Sequence, residues 1–422
     1  MMTPFALLLR RRFLPLFITQ FVGAFCGNLF KNATIVLILY RLGGEQAAGG
    51  KVLATTAVGL FVLPFFLFSA TAGQIADRFD KARLIRLINL LGVAAAAVAV
   101  AALWAAAPWM LLTALFLLGT QAAFFGPLKY GILPDHLAAG ELLAANGLVE
   151  AGTFVAILAG TMAGSLTILA EHGTLAVQAM VALAALAGWA ASLAVPPAPA
   201  TAARRPVDWN IVRETWLLLR RAASSRPLLR TMMGISWFWL VGATYLTQFP
   251  AFAKDVLHAG PTVVTLFLVM FTLGISAGSL LCHHLLKGVV SLRLAPLGAC
   301  GMALFGFDFV IGATPVSSGA LADAGAFLAA PGSWRPLADL VLTAVAAGLY
   351  VVPLYAYLQQ RADTAHRARI IAANNVLNAL FMTAAAAVGA IILGAGLGIK
   401  SLLLILPLGN LLLALISRRQ AE

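Results

Sequence analysis

Twelve stretches of mostly apolar residues recur along the chain. They lie at 13–40, 52–75, 83–106, 109–128, 143–170, 174–195, 228–252, 262–286, 294–314, 336–359, 370–394 and 399–417. An apolar run of about 20 residues matches the hydrocarbon thickness of a bilayer when wound as a helix, so each predicts a membrane-spanning α-helix. The short gaps at 106–109, 171–174 and 395–398 force antiparallel neighbours. The long gap from Pro196 to Pro227 divides the spans six and six. The pattern therefore predicts an all-α polytopic membrane protein of 12 transmembrane helices. Residues 1–195 form an N-terminal bundle, 196–227 a linker, and 228–422 a C-terminal bundle.

The linker opens with Pro196, Pro197 and Pro199, which cannot continue a helix. It then sets Trp209, Val212, Trp216 and Leu219 at helical spacing, flanked by Arg213, Arg220 and Arg221. That pattern predicts an amphipathic helix on the inner leaflet, its arginines facing anionic head groups.

Composition strengthens this picture. The 422 residues are 62% hydrophobic and only 10% charged, too few charges to cover the surface of a soluble protein of this size. The formal net charge of +13 does not indicate nucleic-acid binding, because the basic residues sit in the gaps between apolar runs rather than on one wet face. Their distribution sets orientation instead. With the N-terminus inside, 22 Lys and Arg fall in cytoplasmic segments and five (Arg41, Lys51, Lys254, Arg335 and Lys400) in outer loops. Both termini are thus expected in the cytoplasm, and Arg10, Arg11 and Arg12 are read as holding the first of them there. The three cysteines, Cys26, Cys282 and Cys300, imply no disulfide framework.

One lysine, Lys31, is left inside the first span. A polar side chain in hydrocarbon is costly, so those that persist are expected to face a cavity or one another. At about 100° per residue, Gln20, Gly27, Lys31 and Thr34 share a narrow arc, with Asn28 and Asn32 on its flank, which predicts one wall of a wet cavity. In the fifth span Asn146, Glu150, Thr153, Thr161 and Gly164 share a second face. Trp237, Val241, Thr244 and Gln248 align in the seventh span, and Asn374 and Asn378, with Asn375 adjacent, in the eleventh. Each set alone fits interhelical hydrogen bonding; together they indicate several helices turning polar faces toward one axis. No catalytic constellation and no metal-ligand spacing appears, and no cofactor is expected.

Between the second and third spans stands Gly73-Gln74-Ile75-Ala76-Asp77-Arg78-Phe79-Asp80-Lys81-Ala82-Arg83. It resembles the cytoplasmic loop signature of the major facilitator superfamily: a glycine, then Asp-Arg, then a basic cluster. Gly73, Asp77, Arg78, Lys81 and Arg83 are its gating candidates. Further stretches are similar to the bacterial lysophospholipid transporter family. They are Gln20–Phe25, Asn28–Ala33, Gly126–Leu133, Ala145–Ala151, Val352–Leu354 and Asn374–Asn378. Trp237–Trp239 and Tyr245–Gln248 look closest to members fused to acyltransferase domains. Family members usually carry Asp where this chain has Gly27, and some carry an arginine near Leu246, so an acid–arginine gate of that kind cannot operate here.

The resemblance implies a 6+6 pseudo-symmetric major facilitator fold in the bacterial inner membrane. It also implies inward flipping of lysophospholipid by alternating access, for reacylation by a cytoplasmic acyltransferase. Lys31 is expected to hold the substrate phosphate, and Glu150 to meet the head-group amine or neutralise Lys31 in the empty site. That pair would suit a zwitterion such as lysophosphatidylethanolamine. The remaining substrate-binding candidates are Gln20, Asn28, Asn146, Thr153, Gln248, Asn374 and Asn378. Two other functions fit the same residues: efflux of an amphiphilic small molecule or drug, and a non-transporting membrane anchor for an acyltransferase.

Overall fold

The computed structural model describes residues 3–42, 47–200, 207–317 and 319–421, so Arg204 and Arg205 of the linker lie outside the described residues. The first half contains α1 (Leu14–Leu37), α2 (Ala47–Arg78), α3 (Lys81–Ala105), α4 (Pro108–Gly131), the short α5 (Leu133–His136), α6 (Leu142–Thr167) and α7 (Gly173–Leu193). After the linker helix α8 (Ile211–Ser224) come α9 (Arg226–Asp255), α10 (Pro261–Leu285), α11 (Leu294–Ile311), the short α12 (Ala324–Ala329), α13 (Trp334–Arg361), α14 (Arg367–Gly394) and α15 (Ile399–Ala421). Twelve long helices thus occupy the twelve apolar stretches. Eleven are long and apolar enough to cross a membrane by length and composition. The other, α9, is less apolar because Trp237, Trp239, Thr244, Tyr245 and Gln248 crowd its middle; it packs against α10, α13, α14 and α15 within the bundle.

Local chemistry sets several boundaries. Asp80 caps α3, its carboxylate accepting from the Arg83 backbone N–H at 2.8 Å. Ala106 ends that helix in the left-handed region at φ 48°, and Pro108 starts α4, where a missing N–H costs nothing. The other oxygen of Asp80 accepts from the Ala198 N–H at 3.0 Å, which ties the start of the linker to the α2–α3 turn.

The linker helix α8 is held at its start. Asn210 caps it through the Arg213 N–H at 2.9 Å, and the Gln74 amide binds the Asp208 backbone N–H and C=O at 2.9 and 3.1 Å. The Asn210 N–H and the Arg213 guanidinium hold the Asp208 carboxyl below the usual carboxylate range. The helix packs on α2 and α14, one from each half, as well as on α9. Trp209 and Trp216 remain exposed.

Helices α1 to α7 pack chiefly among themselves, as do α9 to α15; α6 on α10, α2 and α4 on α14, and α6 on α13 join the two sets. These joints concentrate at the end of the bundle where α1 begins, the near end. Asp77 accepts from the backbone N–H groups of Ala368 and Arg369, at 2.9 and 3.3 Å, and so sits on the positive N-terminus of α14. Lys81, buried at 1% exposure, pairs with Asp135 at 2.8 Å, and Asp135 pairs with Arg367 of the second half at 3.1 Å. Asn146 and Gln359 exchange two amide hydrogen bonds at 2.8 and 2.9 Å.

Glycines make the approach possible. A Cβ on Gly73 would meet the Ala372 Cβ at 2.7 Å and the Arg369 Cα at 2.9 Å. One on Gly147 would meet the Ser279 carbonyl oxygen at 2.5 Å. Of the five loop candidates, then, Gly73, Asp77 and Lys81 stand at the seam. Arg78 lies over the Phe79 ring at 5.3 Å and Arg83 is exposed, so both side chains stay outside these cross-half bonds.

Away from the near end the halves part. Both α2 and α14 are buried over their near-end segments, 69–77 apart from the half-buried Ile75, and 371–379. Val52, Val58 and Leu63 on one, and Leu380, Val388 and Ile391 on the other, are exposed. The space between the halves is closed at the near end and opens toward the far end.

Gly147→Ala is expected to wedge the near end apart and favour its opening. With Cys26, Cys282 and Cys300 replaced by Ala as background and Ala379→Cys as reporter in the cavity, labelling from the far side should fall several-fold relative to the Gly147 parent.

Candidate functional site

A cavity of about 350 Å³ lies between the halves, within the size range of small-ligand sites. Its first-half wall comes from α1, α2, α3, α4, α6 and α7, and its second-half wall from α9, α13 and α14. Apolar groups such as Phe61, Phe65, Phe125, Ile157 and Met382 make much of the surface. Two ammonium groups, Lys31 and Lys129, are its charged lining residues, and no carboxylate lines it among the described residues.

Helix α1 carries the upper cation. Lys31 Nζ donates to Asn28 Oδ1 at 2.8 Å and lies 5.4 Å from the centre of the Phe61 ring. Asn28 in turn donates to the Ala24 carbonyl at 2.9 Å, which fixes its amide one turn below the lysine. Gly27 forms part of the same wall, and a Cβ there would meet Phe61 at 3.4 Å, an ordinary contact.

The floor is built around Thr153. Its Oγ1 lies 3.0 Å from Gln20 Oε1 and accepts from Lys129 Nζ at 3.4 Å. Lys129 Nζ also lies 4.6 Å from the centre of the Tyr130 ring. Tyr130 stacks on Tyr355 of the second half, with centroids 4.3 Å apart and planes at 7°. Trp239 Nε1 donates to the Tyr355 hydroxyl at 2.9 Å, and Trp239 stacks on Phe154. An aromatic plate shared by both halves therefore seals the cavity from the near-end clasp. Asn378, which accepts from Ser236 at 2.8 Å, and Asn375 complete the second-half wall.

The structure brings Lys31, Gln20, Asn28, Thr153 and Asn378 together on this cavity. Four other candidates lie elsewhere, each for a definable reason. Glu150 is fully buried beside the cavity rather than in its wall; it accepts from the Tyr130 hydroxyl at 2.5 Å, and Lys129, not Lys31, is the cation acting on it. Asn146 is spent on Gln359 at the seam. Asn374 is fully buried, about 100° around α14 from Asn375, which reaches the cavity in its place. Gln248 lies nine residues beyond Trp239 on α9, outside the lining. The polar face of α6 is real, but α6 is the most enclosed of the candidate spans, so its polar residues point at three different neighbours.

Sequence reasoning missed Lys129, Tyr130, Tyr355, Trp239, Asn89 and Gln121 as lining residues. Lys129 was assigned to a cytoplasmic loop because the apolar run ends at 128, whereas α4 continues to Gly131 and turns the lysine inward. The Gly126–Leu133 stretch that carries the resemblance was the signal that could have found it.

Two six-helix halves enclosing a closed-ended, lysine-bearing cavity define a membrane transporter. The description of the Major Facilitator Superfamily matches residues 13–386, and the chain belongs to that superfamily. It is 29% identical over 355 residues to the lysophospholipid transporters LplT of Shigella sonnei (strain Ss046) and of Escherichia coli (strain K12 / DH10B), covering 82% of this chain and 79% of each relative. Among solved structures it is similar to the human organic anion transporter MFSD10 (TM-score 0.72, 14% identity, 97% of this chain and 99% of that one). It is also similar to the E. coli fucose:proton symporter FucP (TM-score 0.67, 12% identity, 98% and 100%). These structural likenesses speak for the fold.

Tyr130→Phe removes the donor to the buried Glu150 carboxylate and should destabilise the protein by about 1–3 kcal/mol. Thermal unfolding in detergent should show a lowered Tm, and Tyr130→Phe combined with Glu150→Gln should recover part of the loss.

Proposed function

We propose that this protein flips lysophospholipid inward across the bacterial inner membrane and delivers it for reacylation by a cytoplasmic acyltransferase. The observation that carries this reading is Lys31. A lysine in the middle of a spanning helix costs about 2.5–3.5 kcal/mol on insertion scales, yet here its ammonium is turned into a chamber between the halves whose wall is apolar over much of its surface. A ligand with an anionic head and an apolar tail matches both parts of that chamber. The 29% identity to proteins named lysophospholipid transporters supports the same substrate class.

The excess of basic residues on the near-end side supports a cytoplasmic near end with both termini, and in that orientation the clasped arrangement is outward-facing. Lysophospholipid reaches the cavity from the outer leaflet, its acyl chain lying along apolar surface and its phosphate on Lys31. Release of the Asp77 and Asp135 contacts at the near end, together with separation of Tyr130 from Tyr355, opens the floor to the cytoplasm. The two halves thereby rock about the bound lipid. Gly73, Asp77 and Lys81 act in gating, and the inner-leaflet helix α8 braces both halves across the seam.

Lys31→Ala should reduce uptake of labelled lysophospholipid into spheroplasts by more than tenfold, with membrane insertion and Tm near those of the parent. Unchanged uptake removes Lys31 from the site, and outward movement of lipid in oriented vesicles overturns the direction.

A further inference from the structure

We infer that the cavity selects lysophospholipids with an anionic, hydroxyl-bearing head group, of the phosphoglycerol type, over those with a zwitterionic ethanolamine head. This rests on the lysophospholipid reading above and specifies its substrate class.

The two cations stand at different depths. Lys31 Nζ is bonded at the level of Asn28, while Lys129 is bonded through Thr153 at the level of Gln20. Eight residues of α1 separate those levels, about 12 Å at 1.5 Å per residue. A phosphate seated on Lys31 therefore has a second cation below it and no carboxylate in the wall among the described residues.

An ethanolamine head group carries its ammonium two methylenes from that phosphate. Turned toward the floor, the ammonium meets Lys129 in the wall itself, a cation that Glu150 offsets from behind that wall. The acid that could answer it, Glu150, is fully buried and already holds the Tyr130 hydroxyl. Of the rings beside the two cations, Tyr130 lies against Tyr355 on one side and has Lys129 over it, and Phe61 already faces Lys31. A charge taken out of water without a partner is disfavoured, and like charges in proximity work against binding.

A phosphoglycerol head group meets none of these penalties. Its phosphate keeps the charge-assisted bond to lysine. Its hydroxyls both donate and accept, as do the neutral amides of Asn28, Gln20, Gln121 and Asn378 around them.

Gly27 is the position that sets this balance. It stands in the wall four residues before Lys31, on the same helical face, and has room for a side chain against Phe61. An acid there would neutralise Lys31 or receive an ammonium.

The test is uptake by the purified full chain in proteoliposomes, with lysophosphatidylglycerol and lysophosphatidylethanolamine of the same acyl chain. The expected result is at least tenfold faster movement of the glycerol lipid and a larger rise in Tm with it at equal concentration. Gly27→Asp should narrow that ratio to near unity, and Lys31→Gln should slow the glycerol lipid more than the ethanolamine lipid. Equal or reversed rates in the parent protein overturn the selectivity while leaving lysophospholipid transport standing. A ratio unmoved by both variants overturns the electrostatic cause. If neither lipid moves or raises Tm with a protein that remains folded, the transport reading itself fails.

Discussion

Hydrocarbon supplies no partner for a polar side chain, and that constraint arranges this molecule. Charges that cannot face lipid are gathered either at the near-end seam, where Asp77, Lys81, Asp135 and Arg367 neutralise one another or a helix terminus, or in the chamber between the halves. The first group is satisfied within the protein and holds the halves together. The second is less fully answered: Lys31 meets only the neutral Asn28 oxygen and the Phe61 ring, and Lys129 meets the Thr153 hydroxyl and the Tyr130 ring, with the Glu150 carboxylate acting on it from behind the wall. That inequality distinguishes a structural clasp from a site awaiting a ligand.

The clasp and the site are mechanically joined. Tyr130 belongs to both, since its ring forms the cavity floor while its hydroxyl holds Glu150 and its stacking partner Tyr355 comes from the opposite half. Neighbouring Lys129 faces the chamber from the same helix. Opening the near end must therefore disturb the cavity floor. Any movement of Lys129 away from Thr153 would bear in turn on the adjoining Tyr130 of the plate. The linker adds a further tie: α8 touches α2 and α14, the two helices that the Asp77 contact joins, and the Gln74 amide anchors its start. Breaking the seam thus involves one continuous set of contacts rather than independent locks.

Much of the fold was legible because membrane crossing is a one-dimensional requirement. Twelve apolar runs became twelve long helices, and even the low apolarity of α9 reads directly from Trp237, Trp239, Thr244, Tyr245 and Gln248. Helical periodicity also brought Gln20, Asn28 and Lys31 to one wall, because α1 presents a single face to the chamber. The same reasoning failed on α6, where Asn146, Glu150 and Thr153 share an arc yet meet α13, α4 and the cavity respectively.

The sequence by itself thus determined how many times the chain crosses the membrane, which superfamily it resembles and which cation is stranded in the first span. These follow from local hydrophobicity, charge and short motifs. Only the tertiary structure decided which neighbour each polar face meets. It took Glu150 out of the wall, put Lys129 into it, and joined Tyr130 to Tyr355 across 225 positions of sequence. A wheel projection fixes a direction around one helix axis, but the partner standing in that direction is set by how the other helices pack.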